Sequence, residues 1–92
     1  MNLAHHYRRV PEWLIEDMDG DLLAFNPVST MTVHLNVPSS VVWRLCDEDR
    51  SVADIIDVLT QAYPAQVEQI AHDVVEVIEQ LAQQALIEQV II

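Results

Sequence analysis

The side chains able to do chemistry are few, and their spacing is poor for it. The 92 residues hold one cysteine, four histidines and one glycine. A reactive thiolate needs a base or an electropositive setting beside it. Cys46 instead closes the run Val42-Trp43-Arg44-Leu45-Cys46, where a helical pattern turns it toward apolar neighbours, and it reads as a packed thiol. No Ser, His and Asp stand in a recognisable nucleophile signature. A glycine-rich phosphate loop is impossible with Gly20 alone. The histidines and the cysteine show no zinc-ligand spacing, and the pair His5-His6 is too short to hold a metal without distant partners. Asp47-Glu48-Asp49 could attract a cation, but it reads first as a solvated helix end. No catalysis, cofactor or metal site is expected.

What remains is the chemistry of backbone edges and apolar surfaces, and one stretch concentrates it. From Met31 to Asn36 the residues alternate as in a strand, with Val33 and Leu35 on one side and Thr32 and His34 on the other. Pro38 then suits the first turn of a helix, Asn36 suits its cap, and Val37 is expected in an extended conformation before the proline. Val41, Val42 and Leu45 share one face of that helix.

Composition narrows the partners. Net charge is −11, there is no lysine, and the four cations are Arg8, Arg9, Arg44 and Arg50. After Arg50 come seven acids and no cation, so a phosphate backbone would be repelled by that half. A 51% hydrophobic content is enough for a core. No apolar run approaches the roughly 18 residues of a membrane span, and the first nine residues lack the apolar centre of a secretory signal. One cysteine suits a reducing compartment. The expectation is a soluble, cytoplasmic single domain with no nucleic-acid or membrane partner.

The elements that would position the Met31–Asn36 stretch follow in order. Residues 1–10 read as a flexible arm. Residues 11–36 read as a three-stranded antiparallel sheet: Trp13–Asp17 with Trp13 and Ile15 on one face, a turn at Asp19-Gly20, Leu22–Phe25, a turn at Asn26-Pro27, and Met31–Leu35. Residues 37–85 read as three helices. The first runs from about Pro38 to Cys46. Ser51 caps the second, with Asp54 three residues on, and Val52, Ile55, Ile56, Leu59 and Ala62 make its stripe. Tyr63-Pro64 ends it. The third runs from Ala65–Val67 to about Gln84. Its stripe holds Val67, Ile70, Ala71, Val74, Ile78, Leu81 and Ala85, widened by Val75 and Ala82 on one flank and Val77 on the other. That arc exceeds one packing surface. Residues 86–92 form an apolar tail, suited to a final strand or to pairing with another copy.

The wording from Leu35 to Ile87 resembles the PqqD-like family. The resemblance rests on Leu35-Asn36, Val42-Trp43, Leu45-Cys46-Asp47, Ser51-Val52-Ala53-Asp54-Ile55-Ile56, Leu59, Tyr63, Asp73-Val74 and Leu81 to Ile87, with Asn26-Pro27 ahead of them. One departure is Glu48, where the family pattern has glycine, which puts the tight turn between the first two helices in question.

The resemblance implies an α+β fold, winged helix-turn-helix-like, with a three-stranded antiparallel sheet before a three-helix bundle. It implies a non-catalytic recognition element for ribosomally made, post-translationally modified peptides. Such a protein binds the leader segment of a precursor peptide and presents it to a modifying enzyme, such as a radical S-adenosylmethionine enzyme. The leader would add a strand beside the third strand, near the third helix. The implied contacts are Met31, Thr32, Val33, His34, Leu35 and Asn36 on the edge, and Val74, Val77, Ile78 and Leu81 on the helix. Val75 and Ala82 replace these if the opposite flank faces the strand. The wording does not single out pyrroloquinoline quinone biosynthesis. Two other readings stand beside this one: a structural adaptor that dimerises through the 86–92 tail, and a DNA-binding winged helix. The four acids and absent cations of the third helix oppose the latter.

Overall fold

The computed structural model describes residues 1–91. Two small antiparallel sheets and three helices give a mixed α+β fold. One sheet contains β2 (Leu14–Met18), β3 (Asp21–Asn26) and β4 (Met31–Leu35), in that spatial order. The Asp19-Gly20 turn forms as its residue types require. Met18 pairs with Asp21, and both turn residues take positive φ, 59° and 105°. The Asp17 carboxylate accepts the Gly20 N–H, which with the Arg44 guanidinium holds its pKa below the usual carboxylate value.

Across this sheet Leu22 and Ala24 pair with Leu35 and Val33, and these four residues are buried. Leu14, Leu23, Phe25, Thr32 and His34 lie on the opposite face by register. Trp13 precedes β2 rather than opening it. Its indole is buried and donates to the Ala85 carbonyl at 2.9 Å, while Ile15, paired with Ala24 on the inner face, stays 37% exposed.

The helices are α1 (Val37–Leu45), α2 (Val52–Ala62) and α3 (Val67–Gln83), with a 3₁₀ turn at Pro64–Gln66. Asn36 caps α1 by accepting the Ser39 N–H at 3.0 Å. Asn36 is the extended residue, and Val37 is already helical, one position earlier than expected. Proline in the first turn forfeits no helical bond, so the helix can start ahead of it. Ser51 and Asp54 form a reciprocal capping box. The Ser51 N–H, followed by its hydroxyl, holds the Asp54 carboxyl below its ordinary 3.8. Between α1 and α2 the Asp47 side chain accepts the Asp49 N–H and its carbonyl accepts the Arg50 N–H, both at 2.9 Å. No residue of that turn has positive φ, so Glu48 serves where glycine was expected.

The amino terminus differs most from expectation. It is not a flexible arm. His6–Arg9 forms β1, which pairs antiparallel with β5 (Ile87–Val90). The apolar tail is therefore a strand within this chain, and Ile92 lies outside the described residues. β1 is held from its other side as well. Val52 N–H donates to the His5 carbonyl at 3.0 Å and Ala53 N–H to the Leu3 carbonyl at 2.9 Å. The turn into β5 is a Schellman arrangement: Leu86 N–H returns to the Leu81 carbonyl and Ala85 N–H to that of Ala82, with Ala85 at φ 59°.

The core draws on β3, β4, the three helices and the start of β5. Leu22, Val42, Ile55, Ile78, Leu81 and Leu86 are almost fully excluded from water. Cys46 is buried too, and desolvation pushes its thiol up to about 12, so it stays protonated and packed.

Candidate functional site

β4 pairs with β3 along one edge, and among the described residues no strand pairs with the other. A chain edge of this kind presents unpaired N–H and C=O groups to any extended segment. Where β4 ends, α1 begins, and its first turn forms part of an apolar cavity of about 310 Å³, at the lower end of the range for ligand pockets. From α1, Val37, Pro38, Val41 and Val42 line it. Leu59 of α2 and Tyr63 and Gln66 of the following turn close one side. Ile70, Asp73, Val74 and Val77 of α3 supply the other, on a single face at positions i, i+3, i+4 and i+7. Val37 and Tyr63 remain 49% and 58% exposed, so the mouth is apolar and wet.

Of the ten residues expected at the site, only Val74 and Val77 line this cavity. Ile78 and Leu81 do not: both are fully buried in the core. They were expected there because a stripe read from sequence does not divide core from groove. Val33 and Leu35 likewise turn inward and are buried, so only their backbone is open to a partner. Met31, Thr32 and His34 are exposed, and His34 Nε2 lies 2.9 Å from Asp21 Oδ2. Asn36 spends its side chain on the α1 cap. The cavity opens on the Val77 flank of α3, not on the flank of Val75 and Ala82.

Sequence reasoning missed nine of the eleven lining residues, among them Val37, Val41, Leu59, Tyr63, Ile70 and Asp73. The signal that could have found them was the surplus of apolar residues on the Val77 side of the third helix, together with a tyrosine before Pro64.

The site offers no catalytic arrangement of the cysteine, which is buried and protonated. His72, Asp73 and Glu76 bring ligand atoms within 4.8 Å of one another on exposed α3, and His72 and Glu76 are also an i,i+4 pair at 3.6 Å. Among the described residues, no helix is long and apolar enough to cross a membrane.

The family model described as Coenzyme PQQ synthesis protein D (PqqD) matches residues 21–87, from the start of β3 to the start of β5. The chain belongs to the PqqD family. The match spans the open edge, all three helices and every residue lining the cavity. Among solved structures, this PqqD-family chain is similar to "TbiB1 in Complex with the TbiA(beta) Leader Peptide". The TM-score is 0.74 at 17% identity, and the match covers 88% of this chain and 94% of the other. That likeness is one of fold. A search of the curated proteins found no match.

Proposed function

We propose that this PqqD-family chain binds the leader segment of a ribosomally made precursor peptide by strand addition to β4, without catalysis, and presents it to a modifying enzyme. One observation carries the reading: the open edge of β4 runs directly into the Val37-Pro38 wall of an apolar cavity. A peptide added along that edge gains backbone hydrogen bonds, and alternate side chains supply selectivity. Its side chains near the end of β4 reach the cavity and bury there against Val41, Val74 and Val77. Family membership and the fold shared with TbiB1, whose structure was solved with a leader peptide, support the same reading. The sheet followed by three helices is of the winged helix-turn-helix-like kind, put here to peptide rather than DNA binding. The four acids of α3, with no cation, favour that use.

The test titrates synthetic leader peptides from candidate precursor genes into the full chain by fluorescence anisotropy. On an edge strand, alternate residues aim their N–H outward. Thr32→Pro and His34→Pro remove one such set. If that set faces outward, both variants keep the wild-type far-ultraviolet circular dichroism and lose at least about tenfold in affinity, the loss of roughly one hydrogen bond and its neighbours. If they unfold, Met31→Pro tests the alternate set in the same way. A folded proline variant of the outward set that binds as the wild type does would end the strand-addition reading.

A further inference from the structure

The cavity wall is apolar at every α1 and α2 position and carries one charge, Asp73. Asp73 shares its α3 face with Ile70, Val74 and Val77, so it stands beside the apolar surface rather than across the helix from it. Its Oδ1 accepts the Gln69 side-chain N–H at 2.9 Å, and among the described residues no Arg forms an ion pair with it. Three of the four arginines are engaged elsewhere. Arg8 is paired with Glu88, Arg44 with Asp17, and Arg9 lies 5.3 Å over the Trp43 ring.

The geometry points to Asp73 as a charge-selecting residue: the peptide that fills this cavity carries Lys or Arg within two positions of its buried apolar side chain. This rests on the peptide-binding reading and names the ligand chemistry of the same site. A purely apolar segment entering the cavity strips water from the Asp73 carboxylate and gives nothing back. A cation placed next to the apolar anchor replaces that water with a charge-assisted hydrogen bond to Oδ2. An acid at the same place is repelled. The dimensions agree. Side chains two apart on one side of a strand are separated by about 6.8 Å, and four residues of helix rise about 6 Å. An anchor held against Val74 and Val77 therefore leaves its same-side neighbour within reach of Asp73.

The experiment selects a random twelve-residue peptide library, displayed on messenger RNA, against full-length wild type, Asp73→Arg, Asp73→Asn and Glu79→Gln. EDTA is present so that no stray cation bridges His72, Asp73 and Glu76. Circular dichroism checks that each variant is folded; Asp73 and Glu79 are both exposed, and Glu79 lies outside the cavity. The expected result is a wild-type pool with a recurring bulky apolar residue and Lys or Arg within two positions. Glu79→Gln keeps that pool. Asp73→Arg keeps the apolar residue and exchanges the cation for an acid or a neutral residue. Selected peptides with Arg at that position should bind wild type about threefold to fivefold tighter than their Glu counterparts, the range of a modest ion pair. The ratio should approach one in Asp73→Asn and shrink in high salt. An apolar preference whose flanking charge is the same in wild type and Asp73→Arg overturns the inference while leaving peptide binding intact. Loss of the cation preference in Glu79→Gln as well as in Asp73→Asn also overturns it, because the cause would then be overall charge. No enrichment against wild type overturns the peptide-binding reading, and this inference with it.

Discussion

β1 and β4 are both short strands of four and five residues, yet the fold treats their free edges differently. β1 pairs with β5 on one side and is tied on the other to the start of α2, through the His6–Ser51 bridge and the Val52 N–H. β4 pairs with β3 on one side and, among the described residues, with no strand on the other. Exposed edges invite aggregation unless they are covered or used. The outer edge of β1 has been covered, so the ribbon it forms with β5 should matter to stability. The edge of β4 has been left open beside a cavity, so its residues should matter to binding.

The largest effect should come from the covered ribbon. Ile87 is 2% exposed and begins β5 directly after the fully buried Leu86. Ile87→Ala deletes buried carbons and leaves a cavity, and should cost about 2–5 kcal/mol in urea unfolding. In a domain this small that is a large share of the total stability. Leader affinity, corrected for the folded fraction, should stay within about twofold. A variant as stable as wild type would show that the ribbon is not structural. A folded variant that loses binding would erase the contrast between the two edges.

Local chemistry was readable from the chain; long-range pairing was not. The Asp19-Gly20 turn, the Asn36 cap and the Ser51–Asp54 box each depend on residues within three or four positions, and each forms in the structure. His6-Tyr7-Arg8-Arg9 lacks apolar alternation, so nothing local marks β1 as a strand. Its partner lies 80 residues away, and the pairing is reinforced by the Arg8–Glu88 contact. The family resemblance was equally visible and lies within the matched span. The cavity was not, because its walls come from α1, α2, a 3₁₀ turn and α3, and no single periodicity contains them. Ile78 and Leu81 were misplaced for the related reason that burial depth is set by neighbours from other elements, not by a residue's own helix.

A middle-sized effect should appear where the ribbon meets α2. Ser51→Ala removes the hydroxyl that accepts the Asp54 N–H and should cost about 1 kcal/mol. The partner residue adds a pH signature. Because the folded state holds the Asp54 carboxyl below 3.8, ionised Asp54 favours folding. That contribution is complete above the ordinary value and disappears as pH falls through the lower, folded one. Asp54→Asn should therefore be less stable than wild type at pH 7, with the two curves converging below about pH 4. Parallel curves down to pH 2 would mean that the box contributes through geometry alone.

The smallest stability effect should belong to the open strand. The His34 side chain stands on the face of the sheet away from the core and meets Asp21 at 2.9 Å, with 56% and 36% of the two side chains exposed. An exposed pair of this kind contributes little, so His34→Ala should change unfolding free energy by less than about 0.5 kcal/mol. Binding is where this residue should register. A peptide strand added beside β4 places one of its own side chains next to His34, and such cross-strand neighbours contribute about 0.2–1 kcal/mol. Leader affinity should therefore fall by no more than about fivefold while the unfolding curve stays in place. If His34→Ala instead unfolds the chain and leaves affinity per folded molecule untouched, β4 serves stability as β1 does, and the two edges have the same role.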